Sequence, residues 1–253
     1  MSGHSKWANI KHTKEAADAK RGQLFTKFTR EIIVAVREGG SNPEANFRLR
    51  LVIQKARDSN MPMDNIDRAI AKGGGTGEGS SLAELVLEGY GPGGAAILVQ
   101  ALSDNRNRTV QEIRNLFTRA GSNLAAAGSV AWLFDSVGLI NVKTDSKNTD
   151  DLELMAIDAG AEDVTVDKGY MEIRTKPDKL EWVRKSLEAQ KVTVESAQIA
   201  MVPKTTISLD EKASLQTLKL LDRLEELDEV QHVTANVDFS DEVLEKYQSG
   251  VPV

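Results

Sequence analysis

The run KGGGTGEGSS, from Lys72 to Ser81, constrains this chain more than any other stretch of its sequence. By composition it is a flexible linker. The hydrophobic pattern changes across it. Before the run, apolar residues recur every three or four positions; after it they alternate. The first period lines one face of a helix and the second lines one face of a strand. No regular element continues through such a change, so a boundary is expected here, with a first unit spanning residues 1–76.

Upstream, Leu24, Phe25, Phe28, Ile32, Ile33 and Val36 recur at helical spacing, and Gly39-Gly40 ends the segment. Asn42-Pro43 is expected to cap the next helix, with proline at its first position and Ala45, Leu49, Val52, Ile53 and Ala56 as its stripe. A short third helix follows Met61-Pro62, turns Ile66 and Ile70 inward and stops at Gly73. Short loops make these an antiparallel three-helix bundle.

Downstream, LAELVLEGY alternates, with Ala83, Leu85 and Leu87 expected inward and Glu84, Val86 and Glu88 on a wet face. AAILVQAL, Ala95 to Leu102, is almost continuously apolar, as a central strand is. A helix follows, with Thr109 and Glu112 read as a capping box and Val110, Ile113, Leu116 and Phe117 as its stripe. GSVAWLFDSVGLINV reads as a strand or hairpin. From there to Pro203 the order is strand, helix, a strand pair around Lys168-Gly169, helix, strand. That βαββαβ order is the ferredoxin-like one. Ser208 and Glu211 read as another capping box, before a helix striped by Leu215, Leu218, Leu221, Leu224 and Leu227; VQHVTANVDF reads as a final strand.

The flanking ββα and αβ pieces each lack a partner nearby in sequence. A fully buried leucine is worth about 1.5–3 kcal/mol, so a stripe of leucines left wet is costly. The pieces are therefore expected to pack together as one split αβ domain, residues 77–134 plus 204–253, with a ferredoxin-like domain, 135–203, inserted. The fold class is α+β and multidomain.

Charge divides at the same linker. Residues 1–72 hold 14 Lys+Arg and 8 Asp+Glu, for +6, inside a chain whose net charge is −6; the remainder therefore carries −12. Exposed charges are screened over ~8 Å at physiological salt, so the first unit shows partners its own sign. Polyanions fit such a surface. No apolar run approaches the ~20 residues of a membrane span, no signal-peptide apolar core opens the sequence, and cysteine is absent. The cytoplasm is the expected compartment and a monomer the expected state.

Several motifs point away from catalysis. GYGPGG, Gly89 to Gly94, matches G-x-G-x-x-G but lies between two strands, where a dinucleotide site needs a helix to follow. It reads as a hairpin connection. The three histidines, His4, His12 and His232, have no carboxylate or thiolate at ligand spacing, so no metal is expected. Asp150-Asp151 and Asp210-Glu211 read as helix-start carboxylates. No enzyme activity and no cofactor are expected.

The binding candidates are basic. Lys6, Lys11 and Lys14 surround Trp7, and Lys20, Arg21, Lys27 and Arg30 continue the series. Lysines suit phosphates and an exposed aromatic suits an unpaired base. Trp7 equally suits a packing anchor that holds the arm, and both readings stand. In SDNRNRT, Ser103 to Thr109, the Asp and Asn residues suit a turn and cap, while Arg106 and Arg108 are not required by that geometry. On spacing alone they read first as a solvated loop and second as phosphate contacts.

GHSKWANIKH, DAKRG, NMP.DNI.RAI.KG, EGYGPGG, DNRNRT and GSVAWLF, in this order (a dot for any residue), together resemble the YebC/PmpR family, the probable transcriptional regulatory proteins, whose relatives include the mitochondrial translational activator of cytochrome c oxidase. The resemblance runs from Gly3 to Phe239. It implies three domains, no catalysis and no cofactor. It places the family's basic arm on Lys6, Lys11, Lys14, Lys20, Arg21 and Lys27, and its loop arginines on Arg106 and Arg108. It implies DNA-binding control of transcription by tradition, and by newer thinking a ribosomal role in synthesis of difficult sequences such as proline runs. Gln23 stands where many members have lysine, and Phe47 where proline is frequent. No helix-turn-helix recognition helix is evident. RNA or the ribosome is therefore the preferred target, and a DNA-binding transcriptional regulator is the alternative.

Overall fold

The structure is a computed structural model of the 253-residue chain and describes residues 18–75, 82–144, 149–167 and 169–249. Three helices come first: α1 (Asp18–Gly39), α2 (Phe47–Asp58) and α3 (Met63–Gly74). Phe28, Ile32, Ala35 and Val36 of α1 interlock with Leu49, Val52, Ile53 and Ala56 of α2 and with Ile66 and Ala69 of α3. At Gly73 a Cβ would stand 2.8 Å from Val36 Cβ and 3.0 Å from the Ile33 carbonyl oxygen. Only glycine allows this approach of α3 to α1.

The cap of α2 is Asn46, not Asn42. Asn46 Oδ1 accepts from Leu49 N at 3.0 Å, while Nδ2 donates to the Ala35 and Gly40 carbonyls, each at 2.7 Å. One buried amide thus satisfies the start of α2 and the end of α1 together. Asn42 instead closes a turn, its Oδ1 accepting from Glu44 N, and Ala45 is exposed.

The first sheet holds β1 (Ala83–Tyr90), β2 (Ala96–Ser103), β3 (Asn123–Leu124) and β8 (Val230–Ala235) in the order β3-β1-β2-β8, every pair antiparallel. GYGPGG is the β1–β2 hairpin connection; Gly93 takes φ +68° in its turn, and a Cβ there would meet Leu209. Two helices cover one face, α4 (Arg106–Arg119) through Ile113 and Phe117, and α7 (Glu211–Glu225) through Leu215, Leu218, Leu221 and Leu224. This core joins residues on both sides of the insertion, as the unpaired stripes require.

Local starts follow the cap residues rather than the two capping boxes. α4 begins at Arg106 under an Asn105 cap, and Thr109 is buried with its hydroxyl 2.8 Å from that of Ser103. α7 is capped by Asp210, whose Oδ1 accepts from Ala213 N at 2.7 Å. Ala83 is exposed, whereas Glu88, expected on the wet face, is 6% exposed. The strand expectation for VQHVTANVDF ends early, and an unexpected helix α8 (Asp241–Gln248) adds Val243 and Leu244 to the core.

The second sheet holds β4 (Phe134–Lys143), β5 (Asp163–Asp167), β6 (Tyr170–Thr175) and β7 (Val194–Pro203), in the order β5-β6-β4-β7, again antiparallel. GSVAWLFDSVGLINV supplies one strand, β4, after a short 3-10 turn at Ala131–Leu133. α5 (Thr149–Asp158) and α6 (Leu180–Ala189) pack on Ile140, Val142, Met171 and Ile173. This is the ferredoxin-like unit. Phe134, where it begins, pairs with Pro203, where it ends. Entry and exit lie side by side, so the insertion leaves the first sheet unbroken.

Candidate nucleic-acid interface

Lys6, Trp7, Lys11 and Lys14 lie outside the described residues. Lys20 stands in the opening turn of α1, and Arg21 after it is exposed. Beyond that point the helix turns its polar side chains inward, toward its neighbour. Gln23 Nε2 donates to the Glu226 carbonyl, Lys27 Nζ to the Glu225 carbonyl at 2.5 Å, and Arg30 Nη2 meets Glu229 Oε1 at 3.5 Å. Positions 23, 27 and 30 share one helical face. They lie against the C-terminal end of α7, where open carbonyls and the helix dipole favour cations.

Glu229 is a shared anchor. Its carboxylate also accepts from Arg108 Nη2 at 3.0 Å, and Arg108 reaches Asp104 at 3.1 Å. The Glu229 side chain is 11% exposed, so a cation from α1 and another from α4 converge on one nearly buried anion. Arg37 donates to the Leu82 carbonyl, Arg48 bridges Glu38 and Glu84, and Arg50 pairs with Glu181 on α6 at 3.3 Å. Much of the positive charge before the linker therefore bolts the bundle onto the acidic remainder. An open cleft of about 450 Å³ beside this joint is lined by Arg30, Lys72, Asn65 and Asp104 among others. Arg30 Nη1 is buried there without a hydrogen-bond partner.

The bundle also covers His232 of β8. Burial, with Lys55 and then Lys27 and Arg48 adding to it against the opposing pull of Glu31, pushes this imidazole down to about 4. It is neutral at physiological pH. No cluster of three or more metal-ligating side chains occurs among the described residues.

Arg106 is exposed at the start of α4. The same helix exposes Asn107, Gln111, Arg114, Asn115 and Arg119, opposite the buried Ile113 and Phe117. Sequence reasoning passed over Arg114 and Arg119. The signal was available: residues 106–119 hold four arginines against one glutamate, inside the negatively charged part of the chain. Helical phase carries Arg114 and Arg119 off the buried Ile113–Phe117 stripe, whereas Arg106 is exposed because it opens the helix.

A family described as the TACO1/YebC protein N-terminal domain matches residues 5–76, and one described as the TACO1/YebC second and third domain matches residues 82–237. This chain belongs to the TACO1/YebC family. It is 60% identical to a probable transcriptional regulatory protein of Dehalococcoides mccartyi strain CBDB1, over 98% of this chain and 99% of that one. It is 51% identical to one of Caldanaerobacter subterraneus subsp. tengcongensis, over 96% of this chain and all of that one. The crystal structure of a conserved hypothetical protein from Aquifex aeolicus matches with a TM-score of 0.87 at 48% identity, over 94% of this chain and 99% of that one.

Gln23 and Phe47 fall at joints between units. Gln23 donates to the end of α7. Phe47 packs against the ferredoxin-like core, with the Arg50 guanidinium 5.8 Å from its ring centroid. Both residues act in docking. None of the described helices is long and apolar enough to cross a membrane.

Proposed function

We propose that the protein is a non-enzymatic, nucleic-acid-binding regulator of gene expression that acts on RNA at the ribosome, as a translation factor easing the synthesis of difficult sequences such as proline runs. One observation carries this reading. The α1 helix is anchored by Lys27 and Arg30 on the body while its first turns, with the exposed Arg21, lead into the basic arm. The arm's root is thus held in place, and Lys6, Lys11 and Lys14 extend from it in sequence. A second group of exposed arginines on α4, Arg106, Arg114 and Arg119, lies on a different unit. Such surfaces grip phosphate without reading base edges, which suits structured RNA better than a chosen promoter.

Co-sedimentation with ribosomes tests the proposal. The full chain should travel with ribosomes at low salt and dissociate as salt rises, with log K falling by about 0.7–0.9 per tenfold salt for each phosphate neutralised. The triple variant Lys6→Glu, Lys11→Glu, Lys14→Glu should stay at the top of the gradient; if it sediments like the parent, the arm has no such role. The names of the relatives favour the DNA reading. Nanomolar binding to one promoter, with strong preference over scrambled duplex, would establish that alternative.

A further inference from the structure

The segment that joins the two sheets holds an exposed tryptophan on an unusually firm base. Glu88 of β1, nearly buried, accepts from three backbone N–H groups of one turn: Gly128 N at 2.6 Å on one oxygen, Val130 N at 2.6 Å and Ala131 N at 2.7 Å on the other. Val130, wholly buried, packs with Ala96, Leu98 and Phe134. On this clamped turn Trp132 is 64% exposed, its indole N–H donating to the Ser129 carbonyl at 3.0 Å. Tyr90, 40% exposed, donates its hydroxyl to the same carbonyl at 3.2 Å. Both rings have committed their hydrogen-bond donors to one internal acceptor. Their apolar surface is what they offer to solvent.

We propose that Trp132, with Tyr90 tied to the same carbonyl, is a stacking platform for an unpaired base of single-stranded RNA. This rests on the nucleic-acid reading above and adds a site to it. A proline-rich peptide is the competing ligand for exposed aromatics, but its backbone presents carbonyls that need donors. Here the indole N–H and phenol O–H are already engaged. A base needs only a π-face, and every base has one. The platform adjoins a lysine that is already paired: Lys204, whose backbone N–H donates to the Leu133 carbonyl, has its ammonium 3.3 Å from Asp135. It therefore depends on the basic surfaces for affinity and itself selects unpaired over paired strands. Trp182 on α6, 67% exposed, carries no comparable clamp and serves as a control.

The test uses the full chain with Trp7→Phe and Trp182→Phe, so that Trp132 is the sole tryptophan. Short oligoadenylate RNA and an RNA duplex of equal length are titrated, with binding followed by anisotropy of labelled RNA and stacking by tryptophan emission. Oligoadenylate should quench Trp132 and the duplex, at matched occupancy, should not. In the parent chain, Trp132→Ala should weaken oligoadenylate binding about tenfold, Trp132→Phe should restore most of it, and Trp182→Ala should leave it unchanged. Oligoadenylate bound tightly with Trp132 emission and the Trp132→Ala affinity both unchanged overturns the platform while sparing the nucleic-acid reading. Absence of binding to either RNA overturns both. Quenching by an oligoproline peptide in place of RNA overturns the platform in favour of a peptide groove.

Discussion

At the residue scale, the largest surprise is where charge is used. Glu88 sits at an alternating position that reads as solvent-facing, yet it is held among backbone N–H groups. Burial alone would raise its pKa; the donors from Gly128, Val130 and Ala131 outweigh that and hold it below the ordinary carboxylate range. A carboxyl with a depressed folded pKa stabilises the fold above its unfolded value of about 4.3, and that contribution fades as pH falls through the folded pKa. Glu88→Gln should cost about 2 kcal/mol at pH 7. Urea denaturation should show the gap to the parent closing in acid. His232 acts in the same direction through the opposite chemistry. It stays neutral in the fold down to about 4 while an unfolded histidine takes up a proton near 6.5, so stability is lost as pH falls between those values. His232→Gln should flatten the dependence of Tm on pH across that window. A histidine C2-H resonance assigned to position 232 that shifts between pH 7 and 6 would contradict this.

At the element scale, joints are made by single residues that sequence patterns undervalue. Asn46 closes two helix ends at once, and Gly73 lets α3 lie against α1. Gly73→Ala brings a methyl into Val36 and the Ile33 carbonyl, and an overpacking cost of about 1–3 kcal/mol is expected, measured by thermal or urea unfolding. The helix and strand periods were legible because Ile32, Leu49, Leu218 and Ile140 each report a buried face. The caps were legible only in part. Asn105 and Asp210, each among the residues that suit a helix start, do cap, whereas Thr109–Glu112 and Ser208–Glu211 match a capping box without forming one at the helix start. A spacing rule cannot tell which of several neighbouring polar residues has the extended backbone that a cap requires. Helix α8 escaped because Val243 and Leu244 are too few to show a period.

At the scale of the whole molecule, the charge partition at the linker becomes a fastening. Arg30 and Arg108 meet on Glu229, Lys27 meets the end of α7, and Arg50 reaches the ferredoxin-like unit. Glu229→Ala should leave both arginines facing a nearly buried apolar site, at a cost of about 2 kcal/mol, less than a fully buried pair because Arg108 is half exposed. The bundle should then loosen from the body. Small-angle scattering would report a larger radius of gyration, and limited proteolysis faster cleavage in the 76–81 linker. Equal dimensions and equal cleavage would mean that Glu229 does not hold the joint.

The sequence by itself determined the three kinds of unit, because apolar period and leucine stripes report burial one element at a time. It also determined the splitting of the αβ unit, because stripes without local partners must find distant ones. Only the tertiary structure decided which charges stay exposed. Lys27, Arg30 and Arg108 read as part of a basic surface, yet the fold turns them onto α7 and Glu229, while Arg114 and Arg119 emerge on an exposed face. The physical reason is range. Burial of an apolar stripe is a property of one helix or strand, whereas an ion pair needs two groups within a few ångströms, and residues 30, 108 and 229 come that close only after the chain has folded back on itself.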